Sequence, residues 1–231
     1  VQTCALPIYM KNIVITGANR GIGLQLTKKY SESNHVFALC RTSSDELKKM
    51  SNVTIIDSVD LLDIHSIENG VSQCPSTIDL LINNAGILQR VSIESMDHDD
   101  IDKIKNQFNV NALAPLLVVH YAIEKLSDSA KVVLITSRMG SIQDNDSGAH
   151  YGYRMSKAAL NMAGKSLSID LRPKGVAVGI IHPGWVQTDM TGHTGHYTVE
   201  KSTSQIMDRI DQLSIQNTGG FWHSDGQLLP W

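Results

Sequence analysis

The segment GAHYGYRMSKAAL, residues 148–160, sets a phenol and an ammonium on one side of a helix. At about 100° per residue, Tyr153 and Lys157 share a face, whereas Tyr151 has only Met155 at the same spacing. A phenol is a weak acid at neutral pH, because its ordinary pKa is about 10, and a nearby ammonium favours the phenolate and lowers that value. The pair is therefore expected to act as a proton relay. Tyr153 would protonate a carbonyl oxygen as hydride arrives, or take the proton in the oxidative direction. Ser137 closes the apolar run KVVLITS just ahead of this helix, where its hydroxyl can hydrogen-bond the same reacting oxygen. Asn111, in FNVNALAP, lies inside a long helical stretch in which an amide is an indifferent helix former; it is expected to hold a water linking Lys157 to solvent.

Hydride chemistry needs a carrier, and TGANRGIG, residues 16–23, has the form of its cradle. Gly17, Gly21 and Gly23 allow a tight turn, close approach of backbone to a diphosphate and close packing of helix on strand. The helix that follows offers free N–H groups to anionic oxygens. At the end of the second strand, ALCRTSS puts Arg41 where an NAD site usually carries a carboxylate for the ribose 2′-hydroxyl. Arg20 can approach the same point from the glycine loop, with Thr42 and Ser43 as hydroxyl donors, so NADP(H) is favoured over NAD(H). The turn of NNAG, residues 83–86, is expected to pass near the cofactor. In HPGWVQTD, residues 182–189, Pro183 and Gly184 shape a turn, and backbone groups near Trp185, Val186 and Thr188 are expected at the nicotinamide carboxamide and the diphosphate.

These residues must be positioned by a scaffold, and the apolar pattern supplies one. Runs rich in β-formers recur at 12–17, 35–40, 53–57, 78–83, 131–137 and 176–182, with helical spacing at 21–32, 97–126 and 152–171. Strands that are apolar throughout and joined by helical crossovers imply a sheet buried on both faces. The expectation is a doubly wound, three-layer α/β sandwich of Rossmann type, with a mostly parallel sheet of seven strands. Pro173 and Gly175 end the helix that begins near Tyr151. Beyond residue 190, TGHTGHY reads as a loop, 198–213 as a short helix and GGFWHSDG as a last strand and turn. By position that loop is a lid over the substrate, with Gly192 and Gly195 as hinges, and His193 and His196 lack the third ligand a metal would need.

Composition narrows the class. The chain has 231 residues, 42% hydrophobic and 19% charged, with a formal net charge of -3, which offers no basic surface to nucleic acid. No apolar run approaches the roughly 20 residues that span a bilayer, and the expected location is the cytoplasm. Cys4, Cys40 and Cys74 have no paired ligand spacing and are read as reduced thiols. Residues 1–9 are set apart as a non-native or disordered segment, and 10–231 as one domain. Small residues Ala158, Ala159, Ala163 and Gly164 on the Tyr153 helix suit close packing on the sheet or a homodimer face.

Taken together, the glycine loop, Asn83-Asn84-Ala85-Gly86, Asn111, Ser137, Tyr153 with Lys157 and Pro183-Gly184 resemble, in order, the motifs of the short-chain dehydrogenase/reductase superfamily. GANRGIGL, YGYRMSKAALNM, HPGWVQTDM and the ending DGQLLPW are similar more narrowly to its C-factor and sniffer-like carbonyl reductases. The resemblance implies a catalytic tetrad of Asn111, Ser137, Tyr153 and Lys157, with Lys157 also a ribose ligand, and places Asp60 at the adenine with Leu61 beside it. It implies a cofactor set of Gly17, Asn19, Arg20, Gly21, Ile22, Gly23, Arg41, Asp60, Leu61, Asn83, Ala85, Gly86, Tyr153, Lys157, Pro183, Gly184, Trp185, Val186 and Thr188, and no metal. The interval from Ser137 to Tyr153 exceeds the common family spacing, so the loop between them must bulge. The activity implied is NADP(H)-dependent interconversion of a small-molecule carbonyl and its alcohol. A signalling protein that binds the cofactor with incidental turnover is the alternative.

Overall fold

The computed structural model describes residues 10–231; the segment set apart at the N-terminus lies outside the described residues. Seven strands form one sheet in the order β3-β2-β1-β4-β5-β6-β7. They are β1 Asn12–Thr16, β2 His35–Leu39, β3 Val53–Ile56, β4 Ile78–Asn83, β5 Leu126–Ile135, β6 Ala177–His182 and β7 Phe221–His223. Every pairing is parallel, β7 included, so the sheet is wholly rather than mostly parallel. Seven helices connect them: α1 Gly21–Ser31, α2 Asp45–Lys48, α3 Ile64–Ser72, α4 His98–Phe108, α5 Ala114–Ala122, α6 Tyr151–Asp170 and α7 Val199–Gln212.

Side chains alternate across each strand, and the two faces bury separate cores. Val14, Leu39, Leu81 and Leu134 pack with Ile67 of α3, Val118 of α5 and Leu160 of α6. Ile13, Ile15, Ile82 and Val133 face the other way and pack with Leu26 of α1, Leu47 of α2 and Ile206 of α7. This is the three-layer sandwich expected from strands apolar on both faces. Gly164 is what lets α6 approach: a Cβ there would stand 2.7 Å from Ile180 Cγ1 and 2.8 Å from Leu134 Cδ1.

The long stretch read as one helix at 97–126 is interrupted. Between α4 and α5 the backbone widens into a π-helical turn, Asn109–Leu113, which carries Asn111. Such turns are rare and commonly sit at functional sites. Because β1 lies between β2 and β4, the chain's winding reverses direction there, leaving a crevice at the carboxyl ends of β1 and β4.

Candidate active site

A cleft of about 640 Å³ opens at that switch point. Gly17, Asn19, Arg20, Gly21, Ile22, Arg41, Asp60, Leu61, Ala85, Gly86, Tyr153, Lys157, Pro183 and Thr188 all line it. Gly17 has φ 64, and its amide donates to Leu39 O at 2.9 Å, turning the chain sharply off β1. Gly23 is packed beneath the loop, where a Cβ would meet Gly17 O at 2.1 Å. Helix α1 starts with no side-chain cap, so its first N–H groups remain available. A backbone cradle too tight for a Cβ, an uncapped helix start and two guanidiniums at the rim fit a dinucleotide diphosphate and an added phosphate.

Two of the second-phosphate donors are placed differently from the expectation. Ser43 Oγ donates to Asp57 Oδ2 at 2.7 Å and is buried, so its hydroxyl is committed below the surface. Arg20 Nη1 lies 3.4 Å from Asp189 Oδ2, both side chains more than 60% exposed, which makes the pair a weak, screened tie across the cleft mouth. Arg41 remains at the wall. Asn19 Nδ2 donates to Thr42 O at 2.9 Å and ties the glycine loop to the segment bearing Arg41.

The period of α6 selects the tyrosine as expected. Tyr153 and Lys157 are 7% and 3% exposed, whereas Tyr151 and Met155 are 39% and 56% exposed. Lys157 Nζ lies over the Tyr153 ring, 5.8 Å from its centroid, and donates to Ile135 O at 2.9 Å. The electrostatics correct the sequence reading. Burial pushes the phenol of Tyr153 up to about 12, and the Ser137 hydroxyl beside it pulls the other way. Burial also drives the ammonium of Lys157 down to about 8. Desolvation is the largest influence on both groups, each of which is charged in one form and sits out of water.

Asn111 is fully buried, and its amide makes three hydrogen bonds. Oδ1 accepts from Ile87 N at 2.8 Å, while Nδ2 donates to Ile87 O at 2.8 Å and to Ser156 Oγ at 3.0 Å. Ser156 in turn donates to Tyr153 O at 2.8 Å. The amide therefore ties the loop after β4 to α6, with both Nδ2 protons committed.

Five other expected residues fall outside the cleft walls: Asn83, Ser137, Gly184, Trp185 and Val186. Asn83 is 2% exposed, held inside the sheet by strand alternation. Its neighbour Asn84 does the contact work, donating from Nδ2 to Thr16 O at 3.1 Å and to Gly17 O at 3.2 Å. Thr16 Oγ1 completes this join by accepting from the amides of Asn84 and Ala85. The sequence signal for Asn84 was its place as the first residue past the strand. Ser137 follows the wall residue Thr136, and its hydroxyl, beside the Tyr153 phenol, accepts from Met139 N at 3.1 Å. The Gly184 position abuts Tyr197, 2.7 Å from where a Cβ would stand. Trp185 O accepts from Tyr197 N, Val186 O accepts from Thr188 N, and the Trp185 ring meets His196 edge-to-face, so these groups serve the loop's own structure.

The loop expected to act as a lid is constrained at one of its two glycines. Gly192 is unencumbered, but Gly195 presses on the Trp185–Gln187 backbone, where a Cβ would meet Val186 C at 2.3 Å, so it is a packing residue rather than a hinge. Met190 and His193 face the cleft. His182, at the end of β6, is pushed down to about 3 by burial, so it carries no charge beside Lys157 at neutral pH.

A parallel sheet with a glycine loop and a Tyr–Lys pair on one wall of its switch-point cleft defines an oxidoreductase scaffold built for a dinucleotide. The chain belongs to the short chain dehydrogenase family, whose family model matches residues 11–198. It is 41% identical to the C-signal protein of Myxococcus xanthus over 161 residues, covering 68% of this chain and 95% of that one. The NADPH-bound carbonyl reductase from chicken fatty liver superposes with a TM-score of 0.86 at 31% identity, over 96% of this chain and 99% of that chain. The carbonyl reductase Sniffer of D. melanogaster gives 0.87 at 32% identity, over 96% and 100%. The likeness thus runs to the C-factor and sniffer-like branch. Among the described residues, no helix is long and apolar enough to cross a membrane.

Proposed function

We propose that the protein is an NADP(H)-dependent carbonyl reductase in which Tyr153 supplies the proton. The observation that carries this reading is one wall shared by Tyr153, Lys157 and the glycine loop. A bound NADPH supplies the hydride. Gly17, Gly21, the start of α1 and Arg41 would hold the cofactor, and Asp60 with Leu61 would border its adenine. Tyr153, kept protonated by burial, gives its proton to the carbonyl oxygen; Ser137 hydrogen-bonds that oxygen, and Lys157 stabilises the phenolate left behind. The test is NADPH oxidation by purified protein against a panel of aldehydes, ketones and quinones. Firm NADPH binding with no turnover on any of them would favour the second reading, a cofactor-binding signalling protein, which the likeness to C-signal motivates.

Arg41→Asp is expected to weaken NADPH binding by roughly 100-fold, since charge-assisted hydrogen bonds contribute about 1.5–3 kcal/mol each. NADH affinity should hold or rise. Fluorescence titration of both cofactors measures it, and equal wild-type affinity for the two would overturn the NADP(H) assignment.

The pH profile follows from Lys157. Below about 8 it is protonated and stabilises the phenolate formed on reduction; above, that support is lost. Tyr153, pushed to about 12, stays protonated throughout. The kcat for reduction should be flat up to pH near 8 and fall beyond it. A rate that climbs between pH 8 and 10 contradicts the role given to Lys157.

A further inference from the structure

The loop between β5 and α6 carries Ser137 at one end and feeds Tyr153 at the other. It is held by ties that the chemistry in the cleft does not itself require. Arg154 follows Tyr153 directly but is not a wall of the cleft. Its guanidinium donates from Nε to Gly148 O at 2.9 Å, from Nη2 to Ser147 Oγ at 2.8 Å and from Nη1 to Met139 O at 3.5 Å. One rigid fork thus reaches both ends of the bulge, a geometry that a lysine's single ammonium cannot reproduce.

Both anchored ends are places where position has a cost. Gly148, Ala149 and His150 have φ of 61, 54 and 52, a left-handed turn immediately before α6. For a residue with a Cβ that conformation costs about 1–2 kcal/mol, so the turn persists only because surrounding contacts over-determine it. At the other end, Met139 N donates to Ser137 Oγ at 3.1 Å, so the residue whose carbonyl Arg154 holds also sits on the serine hydroxyl. The middle of the loop has its own ties. Arg138 pairs with Asp144, and Trp231 O accepts from Ser141 Oγ at 2.9 Å, Ile142 N at 2.7 Å and Gln143 N at 2.9 Å. Loss of Arg154 should therefore loosen the two ends without releasing the loop.

We propose that Arg154 is a positioning residue: it fixes Ser137 against Tyr153 by tying both ends of the loop to the first turn of α6. The proposal rests on the reading of Ser137 and Tyr153 as the reacting pair.

The test compares Arg154→Met and Arg154→Lys with the wild-type full chain by hydrogen exchange and by NADPH-dependent reduction. Arg154→Met should speed exchange of the amides in 138–150 at least tenfold while the later turns of α6 and the NADPH affinity stay unchanged. Its kcat should fall about tenfold, the scale of a misplacement well below 1 Å, and Arg154→Lys should recover part of it. Unchanged exchange in 138–150, or faster exchange with unchanged kcat, overturns the proposal. If the wild type reduces nothing, the functional reading fails and takes the positioning role with it, while the exchange data still report separately on whether the clamp exists.

Discussion

Tyr153→Phe is expected to lower kcat for carbonyl reduction by about 1,000-fold and to leave NADPH affinity within about twofold of wild type, since a positioned acid contributes typically 10²–10⁴. That loss corresponds to about 4 kcal/mol at the transition state. Phenylalanine keeps the ring that packs under Lys157, which stands 5.8 Å from the ring centroid, so the helix and its neighbours have no reason to shift. Only the hydroxyl leaves, and with it the phenolic proton of the wall. Ser137 cannot replace it, because an alcohol is a far weaker acid than a phenol. Arg41, Asn19 and the glycine loop stand on other elements and are untouched. Steady-state kinetics beside a cofactor titration read both quantities. A variant retaining more than a tenth of wild-type kcat would mean that the proton comes from elsewhere.

The second large effect concerns Gly23→Ala. A methyl there would lie 2.1 Å from Gly17 O, 2.5 Å from Asn84 Nδ2 and 2.9 Å from Gly17 C. Two of these are backbone atoms, so no rotamer change relieves the clash. Either α1 moves off β1 or the loop lifts, and Asn84 loses its hydrogen bonds to Thr16 O and Gly17 O. Overpacking typically costs 1–3 kcal/mol, and broken buried hydrogen bonds add to it; about 3 kcal/mol corresponds to a Tm lowered by roughly 6–12 °C in a chain of this size. The lifted loop no longer presents its amides together, so NADPH affinity should fall on the order of 100-fold. Thermal melts and titration decide it. A variant with unchanged Tm and affinity would show that the loop can yield freely, and the fit of a diphosphate to this cradle would lose its main support.

How far the sequence went is visible at particular residues. The choice of Tyr153 over Tyr151 needed only the helical period, and an exposure of 7% against 39% agrees with it. The glycine loop likewise followed from spacing after an apolar strand. Where the reading erred, a side chain had rival partners. The amide of Asn111 met Ile87 and Ser156, the latter 45 positions away, and both its protons went to them. Ser43 met Asp57. Asn84 reached Thr16 and Gly17, 68 and 67 positions distant, while the better-signalled Asn83 was sealed in the sheet.

The sequence alone determined the alternation of strand and helix, the parallel sheet, the loop that turns on glycine and the face shared by Tyr153 and Lys157, because each depends on periodicity or on backbone freedom within a few residues. Only the tertiary structure decided how acidic that phenol is, which asparagine guards the loop and that Arg154 holds the bulge. Those outcomes depend on desolvation and on competition among hydrogen-bond partners far apart in the chain, and neither exists until the layers have closed.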